Sequence, residues 1–99
     1  MNYVSEHLSE KELTALLEQA AQLVEIGSYY AHYRDPSGHY KVKDIAILEA
    51  TQEPAVIYQK EFGSTDLKSV TWIRPLSSWL EKVDHNGALV PRFQKVTSD

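Results

Sequence analysis

The periodicity of apolar residues changes abruptly at Gly27, and this change leaves few folds open to the chain. Before Gly27, apolar side chains recur at intervals of three and four residues, which is typical of an amphipathic helix. After it, short aromatic and β-branched runs alternate with turn residues, which is typical of several short strands. The sequence therefore predicts an α+β fold, with an N-terminal helix followed by a sheet.

The predicted helix spans residues 9–26. Ser9 is a suitable N-cap, and Glu12 three residues later completes a capping-box pattern. Gly27 is placed to end the helix in a left-handed conformation. One apolar stripe consists of Leu13, Leu16, Leu17, Ala20, Ala21 and Val24. We interpret the stripe as a core-facing surface, with a partner-binding or dimer-forming face as the alternative.

Residues 27–96 are predicted to form a β-rich module of about five short strands. The predicted strands are residues 28–33, 40–50, 55–61, 70–73 and 88–96. Residues 35–38 have the chemistry of a turn, as do Asn86 and Gly87. Pro75 is expected to take the chain out of the sheet, because proline donates no ladder hydrogen bond.

The simplest architecture for these strands is a strongly bent antiparallel sheet or a small barrel like that of Src-homology-3 domains. Such a sheet lets a 99-residue chain bury two tryptophans and several tyrosines while it limits open edges. Residues 62–69 are predicted to form a polar connection, residues 76–83 one or two helical turns, and residues 97–99 a loose tail. Residues 1–99 are therefore expected to form a single domain.

Composition excludes several classes of function. The chain has no cysteine, which excludes disulfides, thiolate metal sites and cysteine nucleophiles. Its net charge of −4 is carried by residues 1–26, and the rest of the chain is neutral overall. This balance argues against non-specific nucleic-acid binding, which usually needs a basic patch. No apolar run or signal pattern points to a membrane, so a cytoplasmic location is expected.

Several short motifs after Gly27 occur in the order and approximate spacing of one bacterial family. They are residues 30–33, Tyr40 with Val42, and residues 46–51, 56–59, 72–75 and 90–93. Over about residues 27–96 the sequence resembles the family known as domain of unknown function 1653. The Trp-Ile-Arg-Pro and Val-Pro-Arg-Phe motifs together carry the specificity. The resemblance implies a compact β-rich module and supplies no activity.

The chain departs from this family at two places. The family usually has a His-Ser-Glu-Thr-like stretch where this chain reads Leu-Glu-Ala-Thr at residues 48–51. It also tends to have phenylalanine where Trp79 stands. The first departure removes a histidine and weakens any proposal that a second histidine performs chemistry here.

His32 is the residue that comes closest to a catalytic candidate. It lies among tyrosines, and as a general base it would need an orienting partner such as Asp35, Asp44 or Glu49. The interpretation that we favour is a half-buried histidine bonded to a backbone carbonyl or a tyrosine. The spacing of His32, Asp35 and His39 matches no closed metal site, so no metal and no cofactor is expected.

Arg74 and Arg92 are stronger candidates for ligand binding. Each adjoins a proline and lies near an aromatic residue, where a guanidinium can bind a carboxylate or phosphate with two hydrogen bonds. Alternatively, each arginine forms an internal ion pair, and the aromatic residues near them form the core. The predicted ligand-binding residues are Arg74, Arg92, Trp72, His32, Tyr33 and Tyr58.

These residues predict a small non-catalytic binding module. Its shallow aromatic groove, flanked by the two arginines, would take an anionic ligand or an acidic peptide. One alternative is an interaction protein or homodimer that works through the acidic helix. Another is a small enzyme with His32 as general base. Both a monomer and a homodimer are compatible with the sequence.

Overall fold

The computed structural model of the chain describes residues 8–62 and 70–97. Within these ranges the chain forms two helices and seven strands. In chain order they are α1 (Glu10–Leu23), β1 (Tyr29–His32), β2 (Asp35–Leu48), β3 (Glu53–Phe62), β4 (Thr71–Pro75), α2 (Leu76–Trp79), β5 (Lys82–His85), β6 (Ala88–Pro91) and β7 (Phe93–Lys95). The predicted connection at residues 63–69 and the last two residues of the predicted tail lie outside the described residues.

Five of the strands form one antiparallel sheet in the order β4-β3-β2-β1-β7, and β5 and β6 form a separate hairpin. With α1 preceding the sheet, this arrangement confirms the predicted α+β fold. The sheet does not close into a ring, because β4 and β7 remain its two edges. The predicted Src-homology-3-like barrel is therefore not confirmed.

The two edges nevertheless approach each other. Three strands separate β4 from β7. In a flat sheet, edges so separated would lie roughly 19 Å apart, at about 4.8 Å per interstrand spacing. The Arg74 guanidinium of β4 lies over the Phe93 ring of β7, with 5.5 Å between Cζ and the ring centroid. Side chains of this length meet only because the sheet is strongly bent.

The helix begins as its sequence predicts and ends earlier. The Ser9 hydroxyl accepts from the Glu12 amide at 3.1 Å, and the Ser9 amide donates to the Glu12 carboxylate at 2.9 Å, which completes the capping box. Val24 is already extended, with φ −130°. The predicted role of Gly27 as the helix terminator is wrong: its φ of +92° serves a later turn, where its amide donates to Val42.

The apolar stripe of α1 packs on the sheet of its own chain. Ala20 and Val24 are fully buried in a core that also contains Val42 and Val56, and Leu17 packs against that core. Ala21, which the predicted stripe includes, is exposed, as is Leu23 at the end of the helix. The helix therefore covers one side of the sheet. None of the described helices is both long and apolar enough to cross a membrane.

The turn predicted at residues 35–38 is wrong. The chain turns at residues 33–34 instead, so that His32 pairs with Asp35 and residues 35–38 belong to β2. Asp35 and Gly38 make close contacts in this part of the strand. The Asp35 carboxylate accepts from Lys60 of β3 at 2.7 Å, and it occupies the space that a side chain at Gly38 would need.

The C-terminal part follows its turn and proline signals. β4 ends at Pro75, as predicted, and α2 is a single turn. Asn86 and Gly87 both have positive φ in the β5–β6 turn, which confirms the Asn-Gly signal. The strand predicted at residues 88–96, with an interruption at Pro91, is divided one residue later, at Arg92, whose amide donates to the Glu81 carbonyl at 3.0 Å.

Candidate functional site

A cleft of about 220 Å³ lies on one face of the bent sheet. Every strand of the five-stranded sheet supplies at least one of its lining side chains. The lining residues are His32, Tyr40, Tyr58, Trp72, Arg74 and Phe93. The cleft is thus assembled across the whole sheet rather than at one loop.

Strand register explains why these side chains share a face. Trp72 lies directly opposite Tyr58 in the β3–β4 pair, and His32 lies opposite Phe93 in the β1–β7 pair. Arg74 lies two residues after Trp72 on β4. Because side chains alternate along a strand, Arg74 therefore points to the same face as Trp72. Register and sheet bending together bring these groups to one cleft.

The aromatic side chains divide into a packed floor and an exposed rim. Trp79 of α2 is 2% exposed and stacks on Phe93, with ring centroids 3.8 Å apart. Tyr58 meets both rings edge-on, at 4.9 and 5.6 Å. Trp72 is 40% exposed at the rim. The interpretation of the aromatics as core therefore holds for the floor and fails for Trp72.

Arg74 is held by hydroxyl groups and an aromatic face. Its Nη1 donates to the Ser78 hydroxyl at 2.9 Å, and its Nε lies 3.5 Å from the Tyr58 hydroxyl. No Asp or Glu of residues 8–62 and 70–97 forms an ion pair with it. A guanidinium has five N–H donors, so Arg74 retains donors for a ligand.

Arg92 has a different environment. Its Nη2 donates to the Glu81 carboxylate at 2.7 Å, and its Nε donates to the Ser78 carbonyl at 3.1 Å. It does not line the cleft. These contacts match the alternative of an internal ion pair for Arg92, whereas they leave Arg74 available.

Tyr33 also lies beside the cleft rather than in it. Its ring packs on His32 at 4.7 Å and on His85 at 5.3 Å, and it lines a neighbouring cleft of about 210 Å³. His32 lines both clefts and forms the wall between them. Of the six residues predicted for ligand binding, the cleft thus collects His32, Tyr58, Trp72 and Arg74.

His32 lies in a positively charged and partly buried environment. Burial holds the pKa of its imidazole below the ordinary value of 6.5, and the charges of Arg74 and Arg92 lower it further. Its Nδ1 accepts a hydrogen bond from the Arg34 amide at 3.1 Å, instead of the predicted bond to a carbonyl or a tyrosine. In the described part of the chain, no carboxylate is hydrogen-bonded to this imidazole, and the Asp35 carboxylate is bonded to Lys60.

Sequence reasoning missed Phe93 and Ser78 as parts of the site, whereas Tyr40 belonged to the aromatic residues that it considered for a groove. Phe93 directly follows Arg92 in the Val-Pro-Arg-Phe motif, so the motif itself could have identified it. Ser78 carries no distinguishing sequence signal. Among the described residues there is no group of three His, Asp or Glu side chains that could hold a metal ion.

Comparisons with known proteins identify relatives of the chain. Residues 28–95 match a family described as "Protein of unknown function (DUF1653)". The chain is also similar to a protein of that family from Bordetella bronchiseptica whose crystal structure is known. The two are 28% identical with a TM-score of 0.58, and the match covers 78% of this chain and 97% of that one. No curated protein matches the chain.

Proposed function

The chain belongs to the DUF1653 family, whose function is unknown, and from its cleft we propose that it is a small non-catalytic binding module. Its ligand carries an anionic group, a carboxylate or a phosphate, together with a flat apolar ring. The observation that carries this proposal is Arg74, a guanidinium at the edge of an aromatic cleft with no acidic partner among the described residues. The ring would lie against Trp72 while the anion meets Arg74.

The charges around the cleft support an anionic ligand. Arg74, Arg92 and Arg34 all lower the pKa of His32, and Asp35 is the acid that offsets them. A partly buried site with this excess of positive charge attracts an anion more strongly than the same charges would in open solvent. Because this excess of positive charge is local, it is compatible with the neutral overall charge of residues 27–99.

The size of the cleft supports a ligand with a single ring. A cavity of about 150 Å³ holds benzene, whereas pockets for drug-sized ligands begin at about 300 Å³. The cleft, at about 220 Å³, lies between these sizes. One ring with one small anionic substituent fits this volume, and a dinucleotide does not.

The alternatives have less support. A general base needs a partner that orients it, and the imidazole of His32 accepts its hydrogen bond from a backbone amide. The acidic helix buries Ala20 and Val24 against its own sheet, which leaves only the margins of its apolar stripe for a partner. No specific observation favours either the enzyme or the helix-mediated homodimer.

The proposal is tested with three small probes: benzoate, phenyl phosphate and the neutral benzyl alcohol. We expect both anions to shift the Trp72 indole N–H resonance in a ¹H–¹⁵N NMR titration and to bind more tightly than the alcohol. Arg74→Ala should weaken anion binding about tenfold, the loss of a charge-assisted hydrogen-bond pair. Comparison of benzoate with phenyl phosphate identifies which anion the cleft prefers.

Arg34→Ala is the matched control for this test. The Arg34→Ala substitution also removes one positive charge near His32, but Arg34 does not line the cleft. We expect it to weaken anion binding by less than about threefold, since exposed charges are screened. Equal losses in the two variants, or equal affinity for the alcohol and the anions, would contradict a site centred on Arg74.

A further inference from the structure

We infer that the anionic group reaches the cleft as a side chain of an extended peptide that pairs with the free edge of β4, the edge to which no strand within residues 8–62 and 70–97 is paired. This inference rests on the proposed function and adds the kind of partner. β4 pairs with β3 on one side, and no other described strand pairs with its opposite side. A strand edge presents backbone donors and acceptors, to which an extended peptide can add.

The free edge and the cleft are built from the same residues. Trp72 and Arg74 belong to β4 and line the cleft. A strand added beside β4 would place alternate side chains on the face that carries these two residues. A peptide at this edge would therefore extend side chains directly over the cleft.

The exposure of β4 agrees with a partner at this edge. Ile73 is 60% exposed on the face opposite the cleft, next to Trp72 on the cleft side. Natural edge strands are commonly protected by lysines, prolines or inward-facing charges. β4 carries two of these protections, the cleft-facing charge of Arg74 and the proline Pro75 at its end, so the edge suits an acidic partner rather than any apolar strand. An acidic partner neutralises that charge and covers both apolar side chains.

The limited size of the cleft favours a peptide over a free small molecule. The cleft is smaller than the pockets that enclose drug-sized ligands, so side-chain contacts alone supply little affinity. Main-chain hydrogen bonds along β4 add contacts that a free acid cannot make. The other edge, β7, has three residues and contributes one lining side chain, Phe93, so β4 is the better edge.

The geometry also specifies a short recognition pattern. An acidic side chain opposite Arg74 and an aromatic side chain opposite Trp72 are two residues apart on the added strand, as Trp72 and Arg74 are on β4. The partner therefore carries an aromatic residue and an acidic residue separated by one position. The residue between them points away from the cleft.

The experiment uses the full chain and the peptide acetyl-Thr-Glu-Thr-Phe-Thr-amide, which places glutamate opposite Arg74 and phenylalanine opposite Trp72 when it pairs antiparallel to β4, as all strand pairs of this sheet do. We expect it to bind about tenfold or more tightly than benzoate, because it adds main-chain hydrogen bonds to the side-chain contacts. Backbone amide resonances of residues 71–74 should shift in ¹H–¹⁵N spectra, and their hydrogen exchange should slow. Arg74→Ala should reduce the affinity about tenfold, whereas Arg34→Ala should reduce it by less than about threefold.

Two N-methylated peptides serve as matched controls for strand pairing. In one peptide, all three threonines carry N-methyl groups. In the other, the phenylalanine and the glutamate carry them. Alternate amides of a strand point in opposite directions, so only one of the two sets faces β4. We expect one isomer to lose binding and the other to keep it.

Each outcome bears on one of the two proposals. Equal affinities of the two isomers, or unchanged resonances at residues 71–74, overturn strand addition. A peptide that binds no more tightly than benzoate also overturns it, while benzoate binding at Arg74 upholds the proposed function. If neither benzoate nor phenyl phosphate nor the peptide binds at the cleft, the proposed function fails as well.

Discussion

At the scale of single residues, the contacts of the two motif arginines separate their roles. Arg92 is bound to the Glu81 carboxylate and to the Ser78 carbonyl, whereas Arg74 is bound to hydroxyl groups and an aromatic ring. Both are adjacent to a proline in the sequence. Their difference arises from which groups the fold places within reach of each guanidinium.

The difference predicts that substitution of Arg92 mainly lowers stability, whereas substitution of Arg74 mainly weakens ligand binding. Arg92→Ala removes an ion pair and a bond to a backbone carbonyl, so it should lower the free energy of unfolding by about 1–2 kcal/mol. Arg74→Ala should lower it by less than about 1 kcal/mol. Urea denaturation of both variants measures these values. A larger loss for Arg74→Ala than for Arg92→Ala would reverse the assignment.

His32 gives the chain a defined dependence on pH. Its pKa is lowered in the folded state, so below the ordinary value of 6.5 the unfolded state binds the proton more readily. The contribution of His32 to stability is therefore complete above about pH 6.5, and it is lost as the pH falls from there toward the folded-state pKa. The ring resonances of His32 in an NMR titration measure that pKa.

Arg74→Ala should raise the pKa of His32, because it removes one of the positive charges that disfavour the imidazolium. The pKa should stay below 6.5, since burial is the largest cause of the shift. Lys43→Ala is the control and should leave the pKa unchanged, because Lys43 is paired with Glu61 and does not act on His32. An unchanged pKa of His32 in Arg74→Ala would show that the charge of Arg74 does not act on the imidazole.

At the scale of elements, one ion pair holds the start of β2 against β3. The Lys60 side chain is 7% exposed and donates to Asp35 at 2.7 Å. A methyl group at Gly38 would collide with that carboxylate. A buried ammonium without its partner is costly, so a side chain at this position that moves the Asp35 carboxylate away from Lys60 would destabilise the start of β2.

Gly38→Ala should therefore lower the free energy of unfolding by about 1–3 kcal/mol, by pushing Asp35 away from Lys60. A double-mutant cycle with Asp35→Ala tests the cause. Once the carboxylate is absent, the added methyl group should cost much less than it does in the unchanged chain. Additive costs in the cycle would show that the glycine acts through its backbone instead.

Elements that depend on neighbouring residues were predictable, and those that depend on distant ones were not. The Ser9 cap and the Asn86-Gly87 turn involve residues within three positions of each other, and both formed as predicted. The first hairpin turn adjoins Asp35, whose carboxylate pairs with Lys60, 25 residues away. A local turn pattern at residues 35–38 could not include that contact.

At the scale of the whole molecule, the core and the cleft share one aromatic cluster. Trp79 connects the two: it stacks on Phe93 of the cleft and meets Tyr30 of the core edge-on at 5.4 Å. The floor of the cleft is therefore part of the core, whereas Trp72 lies exposed at the rim.

This shared cluster predicts different outcomes for the two tryptophans. Trp79→Leu should lower the free energy of unfolding by about 3 kcal/mol, through lost burial and ring packing. Trp72→Leu should lower it by less than about 1 kcal/mol, while it weakens binding of benzoate. Urea unfolding and the NMR titration together give both numbers. Similar stability losses for the two variants would place Trp72 in the core.

Long-range strand pairing limits how much of the site can be predicted from the sequence. The motifs pointed to Arg74 and Trp72, because both are in one short segment beside a proline. The pairing of β1 with β7 joins residues about sixty positions apart, and this pairing brings Phe93 next to His32. Which of the two arginines faces the cleft also depends on Glu81 and on the bend of the sheet.

The bend has a mechanical consequence. An occupant that touches Arg74 and Phe93 together joins the first and last strands of an open ribbon. Such an occupant would bridge the two edge strands, and the sheet could not become flatter without releasing it. Occupancy of the cleft and the curvature of the molecule would then rise and fall together.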